Sequence, residues 1–277
     1  MALWDKIHSR GNIEDRRAMG PGTILGGSLG LTGLVVVLLL NFLGGGDVGD
    51  VLMELQNVQM QPAQSYNAED FEGQDRYEVF AGAVLGSAND MWANAFVQSN
   101  LIYSEPRLVL FRGATNSGCG GADSRVGPHY CALDQTIYLD ETFFDELKTR
   151  LGAEGGDVAE AYVIAHEVGH HIQYQLGGLQ ETVSNLESVQ LELQADCFAG
   201  LWAYSIKDLG ILEQGEIREA IDVVAAVGDD RIQVKVEGSM NPESWTHGSS
   251  EQRVAAFNRG YESGRVMQCD IYEQSRY

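Results

Sequence analysis

The stretch AHEVGHH at residues 165–171 contains the pattern His-Glu-x-x-His within an apolar run. Side chains four residues apart project from the same face of a helix, so His166 and His170 can bind one metal ion together. Glu167 lies about 100° round the helix, close enough to act on a water bound to that metal. The stretch therefore predicts a helix that carries a metal site and its general base.

The predicted helix begins after two glycines, with Asp157 as its cap and Glu160 completing a capping box, and it ends near Leu176. Most of its residues are apolar, which predicts that it is buried. Buried polar side chains need partners, and one metal ion satisfies both histidines. Two core histidines bonded to carbonyl groups are the alternative, but they give Glu167 no role.

A second helix is predicted from the capping pattern at Ser184 to about residue 207. On it, Glu192 and Asp196 are four residues apart and share a face among apolar neighbours. Two buried carboxylates repel each other unless a cation lies beside them. Zinc bound by Glu192, with Asp196 accepting from a ligating histidine, removes the repulsion. A solvent-exposed acidic edge is the alternative.

His247 comes just before a further predicted helix that runs to about Tyr261. A histidine here can approach the metal from the substrate side, where it would stabilise an oxyanion or act as a reversible fourth ligand. In the alternative interpretation, Ser249 or Ser250 caps the helix and His247 is solvated. Arg253 is expected to pair with a carboxylate.

The rest of the domain is predicted to be α+β and mostly helical, from the periodicity of its apolar residues. Two strands joined by a cysteine-bearing loop suggest a β-hairpin-like sheet edge, which can hold a substrate by strand addition. The predicted elements are helices over 79–97, 141–151 and 211–227, strands over 108–111 and 136–139, and a surface loop or short strand over 229–240.

The four cysteines form no C-x-x-C pair and no zinc-knuckle spacing. Outside the cytoplasm an even count favours disulfides. Cys119 with Cys131 would close a short loop, and Cys197 with Cys269 follows by elimination. For the second pair, free buried thiols remain the alternative.

An uncharged run at residues 23–43 is long enough to span a bilayer as one helix. A cleaved signal peptide is the alternative, but the run is long for one and lacks a small-x-small cleavage site. Lys and Arg precede the run and are absent after it until Arg76, which places residues 1–22 in the cytoplasm. Residues 44–75 have linker composition, so residues 76–277 are predicted to form one extracytoplasmic domain on a single-pass anchor.

The net charge of −22 argues against nucleic acid as a partner, because phosphate contacts require clustered Lys and Arg. An acidic, soluble surface explains the charge without any specific ligand. The charge alone does not identify a substrate.

These motifs together resemble the bacterial membrane-anchored family of neutral zinc metallopeptidases, of the gluzincin type with H-E-x-x-H followed by E-x-x-A-D. The resemblance implies a zincin-like fold, Zn²⁺ held by His166, His170 and Glu192, Glu167 as catalytic base and Asp196 beside the ligands. The segment from Thr246 also resembles the T-H-x-x-x-x-x-R stretch of related membrane gluzincins. The matching stretches run nearly end to end: residues 12–17, 23–43, 106–111, 119–120, 127–131, 138–140, 166–171, 192–200 and 246–250.

The first functional hypothesis is a membrane-tethered zinc endopeptidase that hydrolyses peptide or protein substrates outside the cytoplasm. His247 or a tyrosine would then hold the oxyanion. The second is a zinc-stabilised binding or chaperone-like domain for envelope proteins, which would have no use for Glu167. Metal-dependent hydrolysis of a non-peptide substrate is compatible with the same ligands.

Overall fold

The computed structural model describes residues 2–18, 69–70, 75–123, 127–146, 148–149, 155–179, 184–213 and 215–270. The predicted membrane span at 23–43 and most of the linker at 44–75 lie outside these residues. Within the part of the chain that is described, no helix combines the length and apolar character needed to cross a membrane.

The described residues form a mostly helical fold with a small mixed sheet, as the sequence predicts. Its strands are β1 (Asn12–Asp15), β2 (Glu69–Asp70), β3 (Arg107–Phe111), β4 (Ala114–Ser117), β5 (Gly120–Asp123), β6 (His129–Cys131) and β7 (Thr136–Asp140). Its helices are α1 (Arg76–Gln98), α2 (Phe143–Glu146), α3 (Asp157–Gln175), α4 (Asn185–Ile206), α5 (Ile217–Ala226), α6 (Asp229–Glu237) and α7 (Ser250–Ser263).

The main sheet has the strand order β2-β1-β3-β7-β6. The pairs β1–β3 and β3–β7 are parallel, whereas β2 and β6 pair antiparallel at the two edges. The expected hairpin of the strands near 108–111 and 136–139 is therefore wrong, since these strands run in the same direction. Between β3 and β7 the chain first forms the β4–β5 hairpin, which is separate from the main sheet. It then forms β6, which pairs antiparallel with β7.

The amino-terminal residues belong to the same domain. β1 lies inside the sheet, with Ile13 opposite Leu108 of β3. Trp4 is only 7% exposed, and its ring packs edge-on against Phe80 and stacks on Trp202. Hydrogen-bonded neighbours lie on the same side of any membrane. The predicted division puts residues 1–22 in the cytoplasm and 76–277 outside, and it takes no account of this strand pairing.

Alternation along the central strands creates two cores. Leu108 and Leu110 of β3, with Ile137 and Leu139 of β7, face the helices and join the main core. The residues between them face the opposite side, where Val109, Phe111, Ala122, Cys131 and Tyr138 form a second cluster under the β4–β5 hairpin. The sheet is thus covered on both faces around β3 and β7.

Helices α4 and α7 cross almost backbone to backbone. A side chain at Gly200 would collide with the carbonyl of Phe257, and one at Gly260 would collide with the carbonyl of Cys197. Only glycine permits this approach. The crossing brings α7, and with it Arg253, against the helix that carries Glu192.

One predicted element differs from the structure. Residues 229–237 form helix α6 instead of a loop or strand, because Gly228 precedes two acidic first-turn residues and Gly238 ends the helix in the left-handed region, with φ 74°. Within the predicted helix over 141–151, Phe143–Glu146 form α2, while residues 147, 150 and 151 lie outside the described part of the chain.

Both predicted disulfides are present, joining Cys119 to Cys131 and Cys197 to Cys269. The first ties β6 to the loop before β5. The second fastens the end of the described chain to the middle of α4, 72 positions earlier.

Candidate metal centre and active-site cleft

Helix α3 presents the two histidines of the motif. Gly156 is its N-cap, so Asp157 is the first helical residue and not the cap that the sequence predicts. The helix ends as predicted, with Leu176 as its C-cap and Gly177 in the left-handed region at φ 76°. The rings of His166 and His170 lie on one face with their centroids 4.8 Å apart.

Glu192 of α4 reaches both histidines. Its Oε2 lies 3.3 Å from Nε2 of His166, and its Oε1 lies 3.4 Å from Nε2 of His170. One ligand atom from each of the three side chains falls within 4.8 Å of the others. Two imidazole nitrogens and a carboxylate are the donor set of three-ligand catalytic zinc sites, so these residues suit zinc.

The electrostatics of the group favour a cation. Burial alone would lower the pKa of His166, but its hydrogen bonds to Asp196 and Glu192 raise that pKa to about 10. Burial would raise the pKa of Glu192, but the two histidines lower it well below its usual range. Negative charge is therefore in excess here, and a positive charge among these side chains is stabilised.

Asp196 orients the first histidine. It is completely buried and accepts a hydrogen bond from Nδ1 of His166 at 2.9 Å, which turns Nε2 towards Glu192. Tyr162, one turn before His166, also donates to the same oxygen. The geometry is the one expected from the sequence.

Arg253 of α7 neutralises Asp196. Its Nε donates to Oδ2 at 2.8 Å and its Nη2 to Oδ1 at 2.9 Å, a two-point contact between buried groups. Nη2 also lies 3.7 Å from Oε2 of Glu192. The expected carboxylate partner of Arg253 is thus the residue that holds His166.

Gln173 holds the second histidine and was not foreseen. Nδ1 of His170 donates to Oε1 of Gln173 at 2.9 Å, and Nε2 of Gln173 donates to the carbonyl of Leu191 at 2.7 Å. The only signal in the sequence is that Gln173 lies three positions after His170, on the same helix face.

A cleft of about 580 Å³ opens over the group. Glu167 lines it and is 6% exposed, and its carboxylate makes no hydrogen bond within the described ranges. His129 and Tyr130 of β6, an edge strand of the sheet, also line the cleft. Other lining residues are Gly127, Pro128, Phe143, Val163, Leu179, Val227, Ile232 and His247.

His247 also lines the cleft, although half of its side chain is exposed. Its Nδ1 lies 3.2 Å from Oδ1 of Asp229 and 3.0 Å from Oγ1 of Thr246. Ser249 caps α7 in a full capping box with Gln252, as one of the two interpretations expects. The segment therefore caps a helix, while His247 is among the residues that line the cleft.

His171 is fully buried. Burial lowers its pKa, so the ring is neutral. Its Nε2 donates to the carbonyl of Ser104 at 2.6 Å, and its Nδ1 accepts from the hydroxyl of Tyr130 at 3.0 Å. His171 therefore fixes a tyrosine of the edge strand beside the cleft.

Two histidines on one helix and a glutamate from the next lie beneath an open cleft and form a candidate three-ligand zinc site. The family described as "Putative neutral zinc metallopeptidase" matches residues 2–272, and the chain belongs to it. That family implies zinc as the metal.

Relatives match over most or part of the chain. The protein YpfJ of Escherichia coli strain K12 is 40% identical over 291 aligned positions, which cover 98% of this chain and 99% of YpfJ. The protein Mb2605 of Mycobacterium bovis is 44% identical over 185 positions, which cover 61% of this chain and 63% of Mb2605. No solved structure matches the chain.

Proposed function

We propose that the chain is a zinc-dependent endopeptidase that cleaves peptide bonds in the cleft over His166, His170 and Glu192. The observation that carries the proposal is that the three metal-binding side chains and an untethered carboxylate, Glu167, meet at the floor of one cleft. A structural zinc site has four protein ligands and no general base, whereas a catalytic one keeps a position open.

Zinc, when bound, supplies a Lewis acid that acidifies water and polarises the scissile carbonyl. Glu167 accepts the proton of the attacking water and returns it to the leaving amine. Asp196 and Gln173 keep the two imidazoles oriented with Nε2 towards the metal. His247 stabilises the negative charge that develops on the carbonyl oxygen.

Peptides are the proposed substrates because of β6. One edge of β6 pairs with β7, and the sheet order leaves its other edge without a neighbouring strand among the described residues. An extended peptide can add to such an edge by main-chain hydrogen bonds. This contact would lay a peptide along the cleft wall without selecting its side chains, which is consistent with a zincin-like, rather than a small-molecule, hydrolase.

The test is Glu167→Gln in the full-length chain. Zinc content should stay at one ion per chain, because Glu167 is not a ligand, while cleavage of fluorescein-labelled casein should fall by roughly a thousandfold or more. Retained cleavage by this variant would contradict the assignment of Glu167 as the general base. If the wild-type protein binds casein but does not cleave it, either with or without a chelator, the binding-domain hypothesis would be favoured instead.

We further propose that the domain lies outside the cytoplasm and is attached to the membrane through residues 23–43. Its two disulfides support an oxidising compartment. Because β1 and β3 are neighbours in one sheet, residues 2–18 would share that compartment. Both flanks of the 23–43 run would then lie on the same side of the membrane, which departs from a single-pass arrangement.

Cysteine labelling in intact cells tests this location. His8→Cys and Glu251→Cys place an exposed thiol before and after the apolar run, and a membrane-impermeant maleimide should label both before lysis. Labelling of the Glu251→Cys variant alone would restore the arrangement with the amino terminus in the cytoplasm. Labelling of neither before lysis would contradict the proposed compartment.

A further inference from the structure

The loop that carries His247 is held by one carboxylate. Oδ2 of Asp229 accepts from three consecutive backbone N–H groups, those of Thr246 at 2.8 Å, His247 at 2.7 Å and Gly248 at 3.0 Å. The backbone N–H of Asp229 donates in return to the carbonyl of Gly248 at 2.9 Å. Gly248, at φ 92°, allows the tight turn that points these N–H groups together.

The second oxygen of the same carboxylate contacts the imidazole. Oδ1 of Asp229 lies 3.2 Å from Nδ1 of His247. Partial burial would raise the pKa of Asp229, but the contacts with His247 and Gly248 lower it, so the carboxylate is ionised. An ionised carboxylate at Nδ1 fixes a proton on that nitrogen and so orients the ring.

Nε2 of His247 makes no hydrogen bond to the residues that the structure describes, and the side chain lines the cleft. Nε2 is therefore the ring nitrogen available to a ligand there. With Nδ1–H bound to the carboxylate, Nε2 is left for substrate, and the doubly protonated ring can donate Nε2–H to a developing oxyanion.

We infer that Asp229 is a positioning residue that acts through His247, holding its loop in place and its Nε2–H towards substrate. This inference rests on the proposed peptidase function. Asp229 is the first residue of α6, where a carboxylate could stabilise the N-terminus of its own helix. Instead, all the contacts of the carboxylate described above go to residues 246–248.

The chain offers a matched control in the next residue. Oδ1 of Asp230 accepts from the backbone N–H of Ser250 at 2.7 Å and from its hydroxyl at 2.8 Å. Asp230 therefore holds the same segment without touching His247. If Asp229 only fastens the loop, Asp229→Asn and Asp230→Asn should have similar effects.

The test measures hydrolysis of a quenched fluorescent peptide by the full-length, zinc-loaded chain. It compares Asp229→Asn, Asp230→Asn, His247→Ala and the double variant Asp229→Asn with His247→Ala. Asp229→Asn should lower kcat by about tenfold with KM little changed, as expected for partial loss of an oxyanion donor. Asp230→Asn should stay within about twofold. In a His247→Ala background, Asp229→Asn should cost nothing further, because the two residues act as a unit.

A readout that needs no turnover separates this inference from the peptidase proposal. In ¹⁵N spectra of zinc-free protein, recorded at a pH where the ring of His247 holds one proton, that proton should lie on Nδ1 in the wild type and in Asp230→Asn. In Asp229→Asn that preference should be lost. Equal loss in both variants, or full additivity of Asp229→Asn with His247→Ala, would overturn the inference. Peptidase failure with the Nδ1 preference intact would instead overturn the proposed function.

Discussion

Gly169 packs directly against Ala195 where the helix of the two histidines crosses the helix of Glu192. A Cβ atom at Gly169 would lie 3.1 Å from Cα of Ala195 and 3.3 Å from its Cβ. Protein interiors leave little room to relieve contacts this short. The absence of a side chain at Gly169 therefore sets how close Glu192 comes to His166 and His170.

Gly169→Ala should weaken zinc binding by about tenfold or more, because ligand positions tolerate shifts of only about 0.2 Å. Competition with a chromogenic chelator would measure the affinity. The substitution favours a helix intrinsically by about 1 kcal/mol, so the melting temperature of zinc-free protein is not expected to fall in parallel. Gly121→Ala, where an added Cβ meets nothing within 4 Å, is the control. Equal zinc affinity in both variants would show that the crossing does not govern the site.

Arg253→Met should destabilise the fold by about 3–5 kcal/mol, because it leaves the carboxylate of Asp196 buried without its cation. Chemical unfolding of zinc-free protein would measure this. Adding Asp196→Asn should recover part of the loss, since the two side chains form one contact. Arg259→Met, on the same helix, should cost less than about 1 kcal/mol. If Arg253→Met and Arg259→Met lowered the unfolding free energy equally, the buried ion pair of Arg253 with Asp196 would not contribute specifically to stability.

Stability should fall as the pH rises towards neutrality because of Glu160. Burial, followed by the charges of Asp157 and Glu141, raises the pKa of Glu160 from 4.5 to about 7. The folded state therefore binds the proton more tightly than the unfolded state, and stability decreases from about pH 4.5 to pH 7. The full shift corresponds to at most about 3 kcal/mol.

Glu160→Gln should remove this dependence. The gain in unfolding free energy over the wild type should be larger at pH 8 than at pH 5, where the wild-type carboxyl is already protonated in the folded state. Denaturant titrations at the two pH values would measure the difference. An equal gain at both values would show that Glu160 titrates normally.

Trp4→Ala should cost about 3–5 kcal/mol, as for a large aromatic residue removed from a core. It would also remove the hydrogen bond that Nε1 donates to Asp157 at 2.8 Å. Leu3→Ala is the control, because Leu3 is 40% exposed. A loss below about 1 kcal/mol for Trp4→Ala would mean that the amino-terminal segment is not docked in solution.

Most of the candidate site could be predicted from the sequence, because its key side chains lie at helical spacing. His166 with His170, and Glu192 with Asp196, each occupy one helix face, so local periodicity placed them together. Gln173 gave only a weak local signal, and Asp229 gave none, since its contact with His247 joins positions far apart in the chain. Such contacts depend on tertiary packing, which periodicity does not record.

The fold was harder to predict from the sequence, because it too depends on tertiary packing. Ile232 and Val234 alternate with polar residues, which is typical of a strand, yet Gly228 and Gly238 bound a helix there. The parallel pairing of β1 with β3 joins segments about 95 positions apart, and four residues reading Asn-Ile-Glu-Asp carry little strand signal. The predicted location of the amino terminus rests on the charges around residues 23–43, and these charges carry no information about the pairing of β1 with β3.

The docking of the first residues bears on how the protein is best produced and tagged. The backbone N–H of Ala2 donates to Oδ2 of Asp157 at 2.9 Å, at the first residue of the helix that carries the histidines. Ala2 itself is only 7% exposed. An affinity tag fused ahead of Met1 would thus begin close to the helix that carries His166 and His170, and a recombinant fragment starting at residue 76 would lack an inner strand.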